Sequence, residues 1–329
     1  MESIMRLNMN ENRLGCSPSV YERIREISAS SGISCYPSID SREVAEKIAL
    51  RHKVRAEQVI VYNGSIEALF WICLIHSRMP VVIPSPSYHG YYAMARQLGI
   101  ECSAPMVYLP KLDMDIMMNS IEKGKKQAVL ISQPNNPTGT SIPKKLLMDI
   151  IIERPDCIFI IDEAYAEFAG ETFIEQLETI QNIIVTRSFS KSYGLAGLRV
   201  GYVVLPVNQI DKISKYRFPY GVDYISQQAA LAALDDEEWH FKAVSSIRTE
   251  REYLSQELKR LGLETLPSNA NFILVKCNCN AFQVVENLKQ KGILVRYWDT
   301  PELSEYFRVT VGKRDENDAF IHELASIVR

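Results

Sequence analysis

The sequence has little excess charge of either sign. Its 329 residues include 37 lysines and arginines against 40 aspartates and glutamates, for a formal net charge of −3. A protein that binds nucleic acid through its phosphates needs a basic face, and this balance argues against that class. Hydrophobic residues make up 47% of the chain and charged residues 23%. We therefore expect a globular protein with no nucleic-acid partner.

The sequence also lacks a disulfide framework, a metal-binding motif and a membrane segment. The seven cysteines are irregularly spaced, and the close pair Cys277 and Cys279 has neither CxxC spacing nor partner histidines. This pattern predicts free thiols in a reducing cytosol and no metal site. No apolar run approaches the roughly 18–20 residues that a membrane helix needs, and the N-terminus lacks the apolar region of a signal peptide. We expect a cytoplasmic protein without a membrane partner.

What the sequence does contain is a series of short apolar runs separated by amphipathic stretches. The runs are rich in β-branched residues, as in strands that are buried on both faces. They cover residues 58–62, 81–84, 128–132, 157–162, 182–186 and 200–205. Helical patterns such as 65–76 and 91–98 lie between them. The alternation predicts an α/β fold whose large domain has a mainly parallel sheet flanked by helices.

The pattern changes after about Pro219. Residues 235–261 form one long helical pattern, and strand-like runs follow at 271–275, 293–297 and 307–311. We predict a smaller α+β domain here. The predicted organisation is an N-terminal segment, residues 1–35, that packs with the small domain, then a large domain, residues 36–234, and the small domain, residues 235–329.

The most informative stretch contains Lys191 among serines, with Arg199 eight residues later. A guanidinium with nearby hydroxyls suits a phosphate, because it donates two parallel hydrogen bonds. A lysine beside such a site is a candidate nucleophile for a carbonyl group. A serine-rich loop with a solvated lysine would give the same local pattern, so this stretch alone does not decide the function.

Three other polar motifs adjoin the apolar runs. Asp162 ends one run, where parallel sheets bind ligands, although a helix N-cap is the alternative. Pro-Asn-Asn-Pro-Thr-Gly at 134–139 follows another run and would also suit a turn. Gly64 and Ser65 join a strand to a helix start, where backbone N–H groups could bind a phosphate. A lysine nucleophile with an aspartate for a pyridinium nitrogen is the pattern of pyridoxal 5′-phosphate sites.

On these motifs the sequence resembles the fold-type I pyridoxal-phosphate aminotransferases of class I/II. The motifs in order are Asn-Pro-Thr-Gly at 136–139, Asp-Glu-Ala-Tyr at 162–165, Ser-x-Ser-Lys at 188–191 and Gly-Leu-Arg-x-Gly at 197–201. Within that superfamily the chain looks most like the histidinol-phosphate aminotransferases. That similarity is carried by Asn-Glu-Asn at 10–12, Cys-Tyr-Pro at 35–37, Pro-Ser-Tyr at 86–88, Pro-Tyr at 219–220 and Phe-Arg-Val-Thr-Val-Gly at 307–312.

The resemblance implies a role for each site residue. Lys191 would attach the pyridoxal phosphate and move the substrate proton, and Asp162 would pair with the ring nitrogen. Asn136 and Tyr165 would hold the phenolic oxygen, and Tyr88 would stack on the ring. The cofactor phosphate would be bound by Gly64, Ser65, Ile66, Ser188, Ser190 and Arg199.

The substrate side is implied in the same way. Arg308 would bind the carboxylate of the substrate or of the amino-group partner, and Arg296 would help to bind the substrate's distal phosphate. Asn136 and Tyr36 would also line the substrate site. Tyr36 would reach the cofactor phosphate of the partner subunit, which implies a homodimer with shared active sites. The expected reaction transfers an amino group between histidinol phosphate and 2-oxoglutarate, in histidine biosynthesis, with phosphorylated amino-acid and oxo-acid substrates.

The sequence departs from the family pattern at three places. Arg13 and Leu14 replace the usual proline and tyrosine, Gly-Ser-Ile-Glu at 64–67 replaces Gly-Ala-Asp-Glu, and Tyr297 replaces an acidic residue. These changes affect substrate recognition more than cofactor chemistry. Two alternatives therefore stay open: an enzyme like threonine-phosphate decarboxylase, which often has leucine at the position of Leu14, and an aspartate or aromatic aminotransferase. A nucleotide-binding protein is disfavoured, because neither GxGxxG nor GxxxxGK[ST] occurs, and a non-catalytic domain would be free to lose Lys191.

Overall fold

The computed structural model describes residues 4–29 and 31–328. The predicted N-terminal segment therefore includes residues 1–3 and 30, which lie outside this range. The α-helices are α1 (Pro18–Ser28), α2 (Arg42–His52), α3 (Ser65–Ile75), α4 (His89–Gln97), α5 (Met114–Ser120), α6 (Lys144–Glu153), α7 (Ala166–Ala169), α8 (Ile210–Ile213), α9 (Tyr224–Asp235), α10 (Glu237–Arg260), α11 (Ala281–Gln290) and α12 (Arg314–Val328). Among the described residues, no helix has the length and apolar composition that crossing a membrane requires.

The strands fall into three sheets. They are β1 (Met5–Arg6), β2 (Val59–Tyr62), β3 (Val81–Val82), β4 (Cys102–Ser103), β5 (Ala128–Ser132), β6 (Ile158–Asp162), β7 (Ile183–Ser188), β8 (Gly201–Val204), β9 (Glu264–Thr265), β10 (Phe272–Lys276), β11 (Ile293–Leu294), β12 (Arg296–Tyr297) and β13 (Tyr306–Thr310). The largest sheet has seven strands in the order β2-β8-β7-β6-β5-β3-β4. Within it β8 is antiparallel to both of its neighbours, and the other pairs are parallel.

Helices cover both faces of the seven-stranded sheet. In β5, Val129 and Ile131 enter an apolar core shared with α1, α2 and α9, whereas Ala128 and Leu130 enter the core shared with α3 and α4. Successive residues of a strand point to opposite faces, so a strand with two buried faces reads as a continuous apolar run. This confirms the predicted α/β class with a mainly parallel sheet flanked by helices.

The C-terminal part has its own core around a smaller antiparallel sheet. The strand order there is β12-β13-β10-β9, and its core includes Leu254 of α10, Phe272 of β10 and Phe320 of α12. The expectation of one strand over residues 293–297 is wrong. The run splits at the buried Val295 into β11, which pairs with β1, and β12, which pairs with β13. The chain crosses here from one sheet to another, which a run of apolar residues does not reveal.

The N-terminal segment contacts both parts of the molecule. Its β1 pairs in parallel with β11, and Leu7 is buried in the C-terminal core. Further along, Val20 of α1 lies in a core of the seven-stranded sheet. The predicted domain limits after residues 35 and 234 stay predictions, but this course carries the segment past the carboxyl ends of the central strands.

Candidate active site

The polar motifs meet at the carboxyl ends of the parallel central strands. Asp162 is the last residue of β6 and Ser188 the last of β7, and Asn136 follows β5. Strand register places Asp162 beside Ser132 on one side and Thr186 on the other. Parallel α/β sheets bind ligands at this edge, because the loops leaving it converge there. Asp162 therefore lies at the centre of the candidate site.

Asp162 is buried and held by two hydrogen bonds. The Tyr91 hydroxyl donates to Oδ2 at 2.5 Å, and the backbone N–H of Ala164 donates to Oδ1 at 3.1 Å. Burial raises the pKa of Asp162, whereas the bond from Tyr91 lowers it by favouring the carboxylate. The Asp162 carboxylate is thus fixed in orientation and ready to accept a proton or a cationic partner.

Lys191 follows β7 and lies over the ring of Tyr165. Its Nζ is 5.6 Å from that ring's centroid and donates a hydrogen bond to the Met9 carbonyl at 3.1 Å. Burial lowers the pKa of Lys191 to about 8, and the positive charge of Arg308 adds to this effect. At pH 7 about a tenth of the amine would then be neutral. A neutral amine is the form that attacks a carbonyl and removes a proton.

Tyr165, beside Lys191, and Asn136 are both buried, and each is held by a partner from a distant part of the chain. The Tyr165 hydroxyl accepts a hydrogen bond from Asn10 Nδ2 at 3.0 Å. The Asn136 side-chain oxygen accepts one from Nη1 of Arg308. The site is therefore assembled from the N-terminal segment, the loop after β5 and the C-terminal sheet.

The residues predicted for the phosphate form a cradle with no room for further side chains. Gly64 has φ of +86°, and a Cβ there would lie 2.7 Å from Nη2 of Arg199. A Cβ on Gly201 would lie 2.2 Å from the backbone nitrogen of Ser65. Both positions need glycine, because any side chain would displace the groups that face the cradle.

Hydrogen bonds connect the serines of the cradle to Arg199. Nη1 of Arg199 donates to Ser190 Oγ at 3.2 Å and to the Ala196 carbonyl at 3.0 Å. The backbone N–H of Ser190 donates to Ser188 Oγ at 3.1 Å. Ile66 follows at the start of α3 and, with Arg199, borders a surface cavity of about 450 Å³. Backbone N–H groups, hydroxyls and a guanidinium are the donors that a phosphate monoester accepts from.

Tyr88 and Tyr36 occupy different positions relative to this cradle. Tyr88 lies edge-on to Tyr91, with ring centroids 5.3 Å apart, and so packs against the residue that orients Asp162. Tyr36 is 83% exposed, and its ring packs on Tyr220 at 4.7 Å. The structure therefore brings Tyr88 to the site, whereas most of the Tyr36 side chain is exposed and only its contact with Tyr220 is described.

Arg308 of β13 is a buried cation without a carboxylate partner in residues 4–29 and 31–328. Besides Asn136, it donates from Nη2 to the Asn8 carbonyl at 2.8 Å, and its buried Nε has no hydrogen-bond partner within the same residues. Burial lowers the pKa of Arg308 to about 10, and the nearby Arg296 contributes. An anionic ligand is the natural complement for such a group.

Arg296 lies on the neighbouring strand, opposite Arg308 in the register of β12 and β13. It is exposed, and its guanidinium carbon is 5.5 Å from the ring centroid of Trp298. The guanidinium carbon of Arg308 is 5.3 Å from the same centroid. The two predicted substrate arginines are thus gathered on one indole ring.

The sequence reasoning missed three residues of this site. Tyr91 lies inside α4 and carries no motif that connects it with Asp162. Trp298 follows a two-residue strand and has no local signal at all. Asn10 belongs to the Asn-Glu-Asn motif used for the resemblance, and its bond to Tyr165 gives that motif a physical function. The described residues contain no group of three or more histidine, cysteine, aspartate or glutamate side chains that could hold a metal ion.

The residues present fit pyridoxal 5′-phosphate. The glycine-walled cradle suits its phosphate and Asp162 its ring nitrogen. Tyr165, next to Lys191, and Asn136, bonded to Arg308, could hold its phenolic oxygen. The buried carboxylate of Asp162 suits a protonated ring nitrogen, and the lowered pKa of Lys191 suits attack on the aldehyde.

Comparison with known proteins agrees with this geometry. The family model described as aminotransferase class I and II matches residues 2–324. A histidinol-phosphate aminotransferase 2 of Archaeoglobus fulgidus is 37% identical, over 99% of this chain and 94% of that protein. Another histidinol-phosphate aminotransferase 2, from Carboxydothermus hydrogenoformans, is 35% identical, over 99% of this chain and 91% of that protein.

Solved structures lead to the same group. The crystal structure of histidinol-phosphate aminotransferase from Sinorhizobium meliloti, in complex with pyridoxal 5′-phosphate, has a TM-score of 0.90 at 25% identity, covering 99% of this chain and 92% of that one. L-threonine-O-3-phosphate decarboxylase from Porphyromonas gingivalis has a TM-score of 0.85 at 22% identity, covering 98% and 99%. The second likeness shows the shared fold alone.

Proposed function

The chain belongs to the class I and II aminotransferases and is a pyridoxal-phosphate-dependent enzyme acting on amino acids and oxo acids, and we propose that its substrate is histidinol phosphate, with 2-oxoglutarate as the amino acceptor. The family membership confirms the resemblance drawn from the motifs. The curated relatives at 35–37% identity carry the histidinol-phosphate name, which supports the substrate proposed here.

One observation carries this proposal: two arginines that lie opposite each other on β12 and β13 have no carboxylate partner among the described residues, and one of them, Arg308, is close enough to Lys191 to lower its pKa. Arg308 is buried and Arg296 exposed, and both lie against Trp298. A monocarboxylate such as phenylalanine would engage a single guanidinium. The phosphate of histidinol phosphate can carry two negative charges, and glutamate carries two carboxylates, so each can use the pair.

The side chains divide the chemistry of transamination among themselves. When bound, pyridoxal phosphate supplies a sink for the electron pair left after the substrate loses its Cα proton. Lys191 Nζ takes that proton and returns it at the other end of the reacting system, for which its depressed pKa suits it. The carboxylate of Asp162, oriented by Tyr91, holds a proton on the ring nitrogen. Asn136 and Tyr165 hold the phenolic oxygen.

The proposal includes a homodimer with shared sites. Tyr36 projects from the chain, and Phe218, at 60% exposure, lies on the wall of the cavity beside Arg199. Exposed aromatic side chains next to a phosphate cradle are what a second subunit would cover. Tyr36 would then reach the cofactor phosphate of the partner chain. In this proposal residues 36–234 bind the cofactor, residues 235–329 bind the substrate, and the enzyme works in the cytoplasm.

The substrate is tested by giving the holoenzyme histidinol phosphate with 2-oxoglutarate, and threonine phosphate, aspartate and phenylalanine in parallel. Amino transfer and carbon dioxide release are both measured. We expect amino transfer from histidinol phosphate with the highest kcat/KM and no carbon dioxide. Faster turnover of aspartate or phenylalanine would contradict the proposed substrate, and carbon dioxide released from threonine phosphate would favour the decarboxylase alternative.

Shared sites are tested by mixing two inactive variants, Lys191→Ala and Tyr36→Ala. A hybrid dimer has one site with both defects and one site with neither, so activity should reappear on mixing. Mixing either variant with more of itself is the control. If no activity returns although hybrid dimers form, Tyr36 does not act across the interface.

A further inference from the structure

Trp298 connects the two arginines that face the substrate. The guanidinium carbon of Arg296 lies 5.5 Å from its ring centroid, and that of Arg308 lies 5.3 Å away. Both distances fall within the roughly 6 Å range of cation–π attraction, for which tryptophan is the best aromatic partner. The ring attracts both cations without neutralising either, whereas a carboxylate in its place would occupy the N–H groups.

The indole is itself held in place by an apolar cluster. Trp298 packs against a core made of Leu109, Leu274, Leu303 and Tyr306. Leu109 belongs to the part of the chain that precedes β5, and the other three belong to the C-terminal part. The ring therefore stands on a surface built from both regions, and its position is fixed before any ligand arrives.

The register of the small sheet explains why both cations reach this ring. Arg296 of β12 lies directly opposite Arg308 of β13, and residues opposite each other on antiparallel strands share one face of the sheet. Two like charges at facing positions repel each other. Arg296 has no ion pair in the part of the chain that the structure describes, and the cation–π contact with Trp298 is the one stabilising contact of its guanidinium there.

We propose that Trp298 determines specificity: by holding Arg296 beside Arg308 as an unneutralised pair, it makes the site select substrates that present more than one negative charge to the pair, either a phosphate dianion or a second carboxylate. This inference rests on the proposed function, because it concerns the substrate end of the same site. It extends the proposal to a residue that none of the motifs contains. Trp298 acts here as a positioning residue, through the two arginines.

The direct test measures binding of two non-reacting acids of equal length to the holoenzyme by calorimetry. Glutarate carries two carboxylates and pentanoate carries one, so their affinity ratio reports the second anion alone. Loading with pyridoxal phosphate keeps the acids out of the phosphate cradle. Trp298→Met and Trp298→Leu keep an apolar contact but lose the ring face, Trp298→Phe keeps a ring, and Trp239→Phe is a control for loss of a tryptophan elsewhere.

In Trp298→Met and Trp298→Leu we expect glutarate to bind about tenfold more weakly, with pentanoate changed less than about twofold. Trp298→Phe should stay within about threefold of the parent for both acids. Equal weakening of both acids would mean that Trp298 only supports the fold, and unchanged glutarate binding would mean that the ring does not hold the pair. Either result overturns the inference.

A double-mutant cycle with Arg296→Gln keeps the inference testable if one variant is unstable. Loss of Arg296 should produce the same loss of glutarate selectivity, and the double variant should be no worse than either single one. Additive losses would overturn the coupling.

Histidinol phosphate, assayed separately, distinguishes this inference from the proposed function. If it is turned over normally while Trp298→Leu keeps its glutarate selectivity, the inference fails and the substrate stands. If it is not a substrate, yet selectivity is lost in Trp298→Leu, the inference stands and the substrate fails.

Discussion

Arg187 and Arg308 are buried to the same extent, each 6% exposed, but the groups around them differ. Arg187 forms ion pairs at 2.8 Å with both Glu163 and Glu167. Arg308 meets an amide oxygen, a carbonyl and aromatic rings, and no carboxylate within the described residues. One cation is neutralised by the protein, and the other is left for a ligand.

The pKa values of the two arginines follow from this difference. Burial lowers the pKa of an arginine, but at Arg187 the adjacent Glu163 and Glu167 outweigh burial and raise it. At Arg308 burial prevails and lowers the pKa to about 10. A neutralised buried charge serves the fold, and an unneutralised one costs stability and serves binding. The comparison therefore predicts that substitutions near Arg308 affect activity, whereas substitutions at Arg187 affect stability.

The largest effect is expected at Lys191, another cation at the site that has no ion pair with a carboxylate of the described residues. Lys191→Ala should lower kcat by about 10⁴-fold or more, because the nucleophile and the proton carrier are both lost. The melting temperature of the apoenzyme should not fall, since an unfavourable buried charge is removed. Steady-state assays and thermal unfolding measure the two quantities. Normal turnover would refute the assignment of Lys191.

Arg308→Gln tests the unneutralised side of the comparison. We expect kcat/KM for histidinol phosphate to fall by about 10²–10³-fold, since the anionic group of the substrate loses its charge-assisted hydrogen bonds to the guanidinium. The free energy of unfolding should stay the same or rise. Arg308→Lys keeps the charge but not the paired N–H donors, so its kcat/KM should lie between those of the parent and of Arg308→Gln. A clear loss of stability in Arg308→Gln would break the comparison.

Arg187→Gln tests the neutralised side. Removing this cation leaves Glu163 buried without its partner, and we expect a loss of about 3–5 kcal/mol in the free energy of unfolding. Urea unfolding of the apoenzyme gives that value. The double variant Arg187→Gln, Glu163→Gln should recover part of the loss, because Glu167 is then the only one of the two carboxylates left without its cation. If the double variant is less stable than Arg187→Gln, the ion pair is not the cause.

The pH dependence of cofactor loading sharpens the comparison further. The pKa of Lys191 is lowered to about 8 by burial and by the charge of Arg308. Only the neutral amine attacks the aldehyde, so the visible band that follows addition of pyridoxal phosphate should form faster as pH rises, levelling off above about 8. Arg308→Gln should move the midpoint upward, and Arg187→Gln should leave it in place. A downward shift in Arg308→Gln would contradict the argument.

The smallest effect is expected at Tyr91, which acts through Asp162. Tyr91→Phe removes the 2.5 Å hydrogen bond to the carboxylate and raises the pKa of Asp162, since that bond favours its ionised form. We expect kcat to fall by about threefold to tenfold, with KM nearly unchanged. Asp162→Asn, which removes the charge itself, should be much worse. Equal losses in the two variants would show that Tyr91 does more than orient Asp162.

The cofactor half of the molecule could be predicted well from the sequence, for a physical reason. The run at residues 128–132 coincides with β5 (Ala128–Ser132), because a strand buried on both faces must be apolar throughout. The polar residues that follow such a strand, Asn136 among them, have to lie at the sheet edge. Three of the four motifs that carry the aminotransferase resemblance begin at or after a strand end, and the fourth, at 197–201, leads into β8 at the same edge of the sheet.

The substrate half depends on contacts between residues far apart in the sequence. Arg296 faces Arg308 only because β12 and β13 pair in that register, and Trp298 joins them only because its ring packs on a cluster that includes Leu109. No spacing within residues 293–311 encodes either relation. Tyr91 was missed for the same reason, since its bond to Asp162 connects a helix with a strand end.

The order of strands in the large sheet also bears on how the enzyme is made. At one edge β2 pairs only with β8, although β3, β5, β6 and β7 all lie between them in the chain. A ribosome therefore releases Gly64 and Ser65 long before Arg199 and Gly201, which complete the cradle. Domains generally fold as units during synthesis. This domain therefore cannot bind its cofactor's phosphate until translation has passed β8. A chain that stalls earlier would leave β2 without its partner strand and β7 with an open edge, which is a template for misassembly.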